Sequence, residues 1–189
     1  MTNEMRKKFE GAIVLVLFCL TIPAANWMIG HVGTTCVPKG PCLVPVAPGI
    51  MAPSGVLMIG AALVLRDLVQ RRLGVAFGVG AILVGAAISA GLAPASLVIA
   101  SATAFLLSEL ADFAIYTPLA RRRLVLAVVA SSMAGLVVDS LVFLWLAFGS
   151  LDFLLGQILG KSWMVLLAIP LVAFLRRRDE RLGLYPVNV

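Results

Sequence analysis

The sequence predicts an all-α integral membrane protein of six transmembrane helices, with both termini in the cytoplasm. Hydrophobic residues make up 61% of its 189 residues, the mean hydropathy is +1.07, and only 13% of residues are charged. A soluble domain of this size needs more polar surface to cover its core. Six spans of roughly 20 residues with short loops use the whole chain, so we expect one transmembrane domain over residues 1–189.

Six apolar segments follow one another along the chain, and we interpret each as a helix that crosses the lipid bilayer. They run over residues 9–30, 54–69, 75–91, 95–119, 124–148 and 152–175. The first is too long for a signal peptide and lacks a compelling small-x-small cleavage site, so we expect it to be a span.

Basic residues gather at alternate ends of these segments. They form clusters at residues 6–8, 71–72, 121–123 and 176–178 with Arg181, whereas Lys39 is the basic residue predicted for the opposite side. The positive-inside rule then places both termini in the cytoplasm of a cell with an inner membrane. This placement also accounts for the net charge of +6. Without aromatic residues interleaved among the basic ones, we expect no nucleic-acid partner.

The predicted outside loop, residues 31–53, is rich in Pro and Gly and shows no periodic pattern. A long irregular loop is often functional, so it could fold back as a lid over a cavity or simply pack on the helix ends. Cys36 and Cys42 are predicted to face the oxidising side of the membrane. The sequence therefore permits a disulfide between them without deciding whether it forms. His31 is the nearest histidine and no four-ligand set exists, so we expect no metal and no cofactor.

The fourth segment contains the stretch SELADFAIYTPLARRR, in which Glu109 and Asp112 interrupt an apolar run. Tyr116 follows Asp112 by four residues, so the three side chains share one helix face. Ser108 lies one turn before Asp112 and is expected to reach its carboxylate. Ionisable groups at a helix centre cost at least about 2.5 kcal/mol each and therefore face protein or a wet cavity.

Other predicted spans also carry polar residues. They are Asn26 and Trp27 in the first, Arg66 and Asp67 in the second, Asp139 in the fifth, and Gln157 with Lys161 in the sixth. We expect Lys161 to pair with Glu109 or Asp139, and Arg66, Asp67 and Asp112 to cluster with Tyr116. Alternatively, Arg66 snorkels to the interface, or all these charges only fix helix register. No nucleophile–base pair or phosphate loop is present, so we do not expect an enzyme.

These residues resemble a known family, the vitamin uptake transporter-like proteins that include the queuosine precursor transporters. The resemblance is carried by Asn26, the end of the second segment, SELADFAIYTPLARRR, residues 131–149, and Gln157, Lys161 and Pro170, and is best over residues 104–170. It implies a six-helix importer of 7-deazaguanine bases, in a bundle similar to the substrate-binding subunits of energy-coupling-factor vitamin transporters.

The resemblance and the charges together suggest two sets of residues. A substrate-binding set for the purine-like base comprises Glu109, Asp139, Lys161, Asn26, Gln157 and Trp27. A gating or helix-register set comprises Asp112, Asp67, Arg66, Tyr116 and Ser108. Two alternatives stay open: a binding subunit that delivers another vitamin-like solute with an energising partner, and a non-transporting scaffold. Assembly into a homo-oligomer is also left open.

Overall fold

A computed structural model describes residues 3–37, 41–92 and 98–184, and six long helices make up most of this part of the chain. They are α1 (Asn3–His31), α2 (Val56–Leu73), α3 (Val75–Leu92), α4 (Val98–Leu119), α5 (Leu124–Phe148) and α6 (Leu154–Leu182). Each predicted segment coincides with one helix. The largest boundary differences are at α1 and α6, which extend by about two turns into charged residues outside the apolar runs.

Five of these helices are long and apolar enough to cross a membrane, namely α1, α3, α4, α5 and α6. Large apolar side chains point outward along them; Leu167, for example, is 69% exposed, as expected for residues that face lipid. Helix α2 lacks this character because Arg66, Asp67, Arg71 and Arg72 lie in its second half. The chain is therefore a multi-pass membrane protein by composition, while the sixth crossing and the cytoplasmic termini stay predictions.

Helix α2 lies at the centre of the bundle and packs against all five other helices. One apolar core lies between α2, α4, α5 and α6 and includes Leu63 and Leu136. A second lies between α1, α2, α3 and α4 and includes Phe18 and Val69. Because protein surrounds α2, its charged side chains can find protein partners instead of facing lipid.

Residues between α1 and α2 form a small antiparallel sheet, so the prediction of a loop without regular structure is wrong. Strands β1 (Thr35–Cys36), β2 (Cys42–Ala47) and β3 (Ile50–Pro53) pair in the order β1-β2-β3. Gly49, at φ 73°, completes the two-residue turn that Pro48 begins between β2 and β3, which suits a proline–glycine turn. Cys42 and Val46 of β2 and Ala52 of β3 are buried, but the prolines of this segment are typical of irregular loops.

We call this sheet the cap, because it closes one end of the bundle. The Trp163 indole N–H of α6 donates to the Val46 carbonyl, 2.8 Å away, and the Ser54 hydroxyl donates to the Met28 carbonyl of α1 at 2.7 Å. A disulfide joins Cys36 of β1 to Cys42 of β2. The segment that was predicted as a lid or a packed loop is therefore anchored to both α1 and α6. Lys39 lies outside the described residues.

The opposite end of the bundle is held by ion pairs between α1, α2 and α6. Asp179 accepts hydrogen bonds from both Arg71 and Arg72 at 2.8–3.1 Å. Glu10 pairs with Arg72 at 3.1 Å and accepts a hydrogen bond from Arg178, which raises the pKa of Arg178. Residues of two basic clusters, 71–72 and 176–178, thus meet at this end beside Glu10 of α1.

Candidate functional site

A cavity of about 500 Å³ lies beneath the cap, between all six helices. The cap contributes Pro41 and Pro53, and the remaining wall is mostly apolar. Phe105, Phe143 and Phe148 supply three aromatic side chains to this wall. The volume and the apolar lining with a few polar groups are typical of small-molecule sites.

Four polar side chains converge on the cavity, namely Asn26, Glu109, Asp139 and Gln157. Each has one polar atom bound to protein and another that no described residue binds. Glu109 Oε2 accepts from Arg66 and Asp139 Oδ2 accepts from Lys161, while Gln157 Oε1 accepts from Lys161 and Asn26 Nδ2 donates to the Ile22 carbonyl. The free atoms are therefore two carboxylate oxygens, the Asn26 Oδ1 oxygen and the Gln157 amide nitrogen.

Behind one wall of the cavity lies the Lys161 centre, which we define as Lys161, Asp139, Ser140 and Gln157. The Lys161 ammonium is fully buried and donates to Asp139 at 2.5 Å, Ser140 at 2.7 Å and Gln157 at 2.8 Å. A lysine has three donors, so all of them are used. The centre contains one positive and one negative charge and orients Asp139 and Gln157 toward the cavity.

Further from the cap lies the Arg66 centre, which we define as Arg66, Asp67, Glu109 and Asp112. Arg66 Nε donates to Glu109 at 3.0 Å, its Nη2 pairs with Asp67 at 3.0 Å and also donates to Asp112. These four side chains are at most 1% exposed. One guanidinium therefore faces three carboxylates deep in the bundle.

Residues around the Arg66 centre extend it across three helices. Arg66 Nη1 donates to Gln70 at 2.9 Å, and Gln70 in turn donates to the Thr117 hydroxyl at 3.0 Å. Ser131 of α5 donates to Asp67 at 3.1 Å. The Arg66 guanidinium carbon lies 5.6 Å from the centre of the Tyr116 ring, within the range of a cation–π contact.

Glu109 belongs to both the cavity and the Arg66 centre. Its Oε2 atom contacts Arg66, whereas the residue also lines the cavity. Among the described residues, Glu109 is the carboxylate of the Arg66 centre that lines the cavity, whereas Asp67 and Asp112 do not. A ligand that binds Glu109 is therefore connected to Asp67 and Asp112 through a single guanidinium.

The structure brings most of the predicted residues together, with three corrections. Arg66 does not snorkel to the interface, because it is fully buried and surrounded by carboxylates. Ser108 does not bond to Asp112; its hydroxyl donates to the Phe105 carbonyl at 2.9 Å. Trp27 is absent from the cavity lining, is 58% exposed, and stacks on His31 with ring centres 4.9 Å apart.

Lys161 pairs with Asp139, one of its two predicted partners, and it lies behind the cavity lining. Sequence reasoning missed Gln70 and the hydroxyl pair of Ser89 and Ser101, which are 2.8 Å apart in the cavity wall. Gln70 could have been found, because it follows Arg66 by four residues and so shares its helix face. The two serines sit on different helices, and no sequence spacing connects them.

A family model described as "Putative vitamin uptake transporter" matches residues 88–175. The matched region contains α4 and α5 with parts of α3 and α6, and so includes Glu109, Asp112, Asp139, Gln157 and Lys161. It covers the residues 104–170 in which the sequence resemblance is best. No curated protein and no solved structure matches the chain.

Proposed function

We propose that the chain is a vitamin uptake transporter, as the family model over residues 88–175 suggests, and that it imports a 7-deazaguanine base, a precursor of the tRNA nucleoside queuosine, across the inner membrane. The observation that carries this proposal is the polar pattern of the cavity: free carboxylate oxygens on Glu109 and Asp139 and a free amide N–H₂ on Gln157. The family description supports small-molecule uptake, and the specific substrate is our inference.

A guanine-like ring presents a ring N–H and an exocyclic amine side by side, with a carbonyl next to them. One carboxylate accepts both N–H groups, and such charge-assisted hydrogen bonds are stronger than neutral ones. We assign this role to Glu109: its free Oε1 atom accepts one N–H group, and Oε2, which accepts from Arg66 at 3.0 Å, accepts the other with its second lone pair. The Gln157 amide then donates to the ring carbonyl.

The Lys161 centre explains how Gln157 presents a donor. An amide can expose either its oxygen or its nitrogen, and the Lys161 ammonium binds the Gln157 oxygen at 2.8 Å. The nitrogen is left for the cavity. Lys161 is therefore a positioning residue in this proposal, and it does not contact the base.

The apolar part of the cavity suits the planar ring. Phe105 contacts the Phe18 ring, with ring centres 6.3 Å apart, which restrains its orientation. Phe105 and Phe143 both line the cavity, and aromatic side chains stack on planar heterocycles in offset geometry. These residues take the stacking role, whereas Trp27, which was predicted to bind the base, does not line the cavity.

A thermal-shift screen of the purified protein tests the proposal. The panel contains 7-deazaguanine, guanine, a 7-deazaadenine and several vitamins. We expect 7-deazaguanine to stabilise the protein and 7-deazaadenine to have little effect, because its exchanged donors and acceptors leave Glu109 and Gln157 unpaired. Stabilisation by a vitamin alone would instead support the alternative of a binding subunit with an energising partner.

Two variants separate recognition of the base from folding. Gln157→Glu keeps an oxygen for Lys161 but removes the donor to the ring carbonyl, and Glu109→Gln replaces one carboxylate oxygen by an N–H₂ group. Losing one partner of a charged hydrogen bond costs roughly 1.5–3 kcal/mol, or at least a tenfold loss of affinity. Asp152→Asn, in the exposed turn before α6, is the matched control. Unchanged binding in both site variants would contradict the assignment.

A further inference from the structure

The Arg66 centre carries more negative than positive charge. If Asp67, Glu109 and Asp112 are all ionised, the single guanidinium leaves two negative charges uncompensated, at side chains that are at most 1% exposed. An uncompensated buried charge is too costly to persist, and such a group gains a proton or a partner instead. The charge count therefore points to a bound proton or another cation.

Nearby charged groups do not supply the missing positive charge. Arg71, the next cation along α2, pairs with Asp179 at 2.9 Å. Lys161 of α6 pairs with Asp139, the carboxylate that α5 contributes. Helix α4 adds Tyr116, whose phenol is neutral unless it loses a proton.

Four buried oxygen atoms next to this charge have no hydrogen-bond partner among the described residues. They are Asp67 Oδ1, whose contact with Arg66 Nη2 at 3.0 Å is an ion pair without hydrogen-bond geometry, Asp112 Oδ2, the Tyr116 hydroxyl and the Ser132 hydroxyl. Arg66 Nη2 lies 3.0 Å from Asp67 Oδ1 and also contacts Asp112, so the two carboxylates flank the same nitrogen atom. Two carboxyl groups can hydrogen-bond only if one of them carries a proton. A proton shared by this pair removes one of the two uncompensated negative charges and gives an orphaned acceptor its donor. The other charge is stabilised by hydrogen-bond donors, namely the Ser131 hydroxyl at Asp67 and the N–H groups of a base bound at Glu109.

A proton fits this site better than a metal ion. None of the four orphaned oxygens lines the cavity beneath the cap, and all four residues are fully buried. A sodium ion needs space and several oxygen ligands arranged around it. A proton needs no volume beyond that of the carboxyl group.

We propose that the Arg66 centre binds one proton, shared between Asp67 and Asp112, and that this proton is transported together with the substrate. The O–H bond forms with a proton from water on one side, and the same bond breaks when the proton returns to water on the other side. The inference rests on the proposed import function, to which it adds the driving force.

Glu109 provides the coupling. While Asp67 and Asp112 share the proton, Glu109 can stay ionised beside Arg66. It then accepts hydrogen bonds from the ring N–H and the exocyclic amine of the base. When the pair has lost its proton, three carboxylates compete for Arg66, and protonation of Glu109 then removes the charged acceptor. Proton binding and substrate binding therefore favour each other, and linkage makes this effect reciprocal.

The test uses the full chain reconstituted in lipid vesicles, with the membrane potential clamped to zero by potassium and valinomycin. A pH gradient of one unit, acid outside, drives about a tenfold accumulation of radiolabelled 7-deazaguanine for one proton per substrate. Asp67→Asn and Asp112→Asn are expected to retain exchange of labelled for unlabelled base, which reports a folded site, and to lose accumulation. Asp152→Asn is expected to behave as the wild type.

The outcomes separate this inference from the proposed function. Exchange without proton-driven accumulation, or accumulation driven by a sodium gradient, overturns proton coupling while the proposed function stands. Wild-type protein that neither binds nor exchanges the base overturns both. The proton itself is tested without substrate: the infrared band of a protonated carboxyl group is expected in wild-type protein at neutral pH and reduced in Asp67→Asn. A wild type without that band overturns the proton site.

Discussion

The Lys161 centre and the Arg66 centre are both buried charge clusters that border the same cavity, but they differ in balance. The Lys161 centre pairs one cation with one carboxylate, and the three ammonium donors are all used. The Arg66 centre sets one cation against three carboxylates, and two of them keep an orphaned oxygen. A balanced cluster can hold side chains in place, whereas an unbalanced one can respond to a change in proton number.

The difference also bears on why buried charges persist in this chain. A buried ion pair stabilises poorly compared with apolar packing of the same volume. The Lys161 centre has a second role besides stability, because it positions the Asp139 and Gln157 groups that face the cavity. The Arg66 centre contributes Glu109 to the cavity, and its remaining carboxylates face protein. The groups that the two centres present to the cavity account better for their buried charges than a contribution to stability does.

The largest effect is expected from Arg66→Met, which leaves three buried carboxylates without their cation. Removing one partner of a buried pair costs about 3–5 kcal/mol, and here three partners are affected. We expect a steep loss of folded protein, measured as detergent-solubilised yield and thermal unfolding temperature. Arg121→Met, at an exposed arginine between α4 and α5, is the matched control. Near-wild-type stability of Arg66→Met would contradict the buried cluster.

The second prediction compares rescue in the two centres. Lys161→Met should destabilise the protein by up to about 3–5 kcal/mol because it leaves Asp139 unpaired. The double variant Lys161→Met with Asp139→Leu should recover most of this loss, since a balanced pair can be replaced by apolar side chains. Arg66→Met with Asp112→Leu should not recover, because Asp67 and Glu109 remain.

Thermal unfolding of the single and double variants in a double-mutant cycle measures this contrast. Equal rescue in both centres would show that the charge imbalance has no energetic weight. The rescued Lys161 double variant is expected to lose binding of the proposed base, because it lacks the Asp139 carboxylate and no longer orients Gln157.

The helices and the existence of polar positions could be predicted from the sequence, but the pairing of charges only in part. Apolar runs defined all six helices, since hydropathy depends on local composition. The predicted partner of Lys161 was either Glu109 or Asp139. Which of the two it contacts depends on how α4, α5 and α6 are rotated about their axes. Arg66 was harder, because a basic residue near a helix end can equally reach the interface. Only the central position of α2 decides between these outcomes.

The sheet of the cap was not predicted from the sequence, for a different reason. Its prolines are typical of irregular loops, and β2 has only six residues. The sheet is stabilised by anchors distant in sequence, such as the bond from Trp163 to Val46. Spacing within the loop carries no information about such contacts.

The third prediction tests the close approach of α2 to the Lys161 centre. A Cβ atom at Gly60 would lie 2.5 Å from the Lys161 carbonyl oxygen and 2.9 Å from its Cα, so the helices must move apart. Overpacking of this kind costs about 1–3 kcal/mol. We expect Gly60→Ala to lower the unfolding temperature and the affinity for the base. Gly80→Ala, where a Cβ would meet nothing within 4 Å, should be neutral or slightly stabilising.

The smallest effect is expected from removal of the Cys36–Cys42 disulfide by the double substitution Cys36→Ser and Cys42→Ser. The two cysteines are six residues apart, so the crosslink closes a short loop and contributes roughly 2 kcal/mol or less, confined to the cap. Affinity for the base should fall, because Pro41 next to Cys42 lines the cavity. The infrared carboxyl band should be unchanged, because no hydrogen bond or ion pair joins the Arg66 centre to the described residues of the cap. A change in that band would mean that cap and Arg66 centre are coupled, and that the two regions do not act separately.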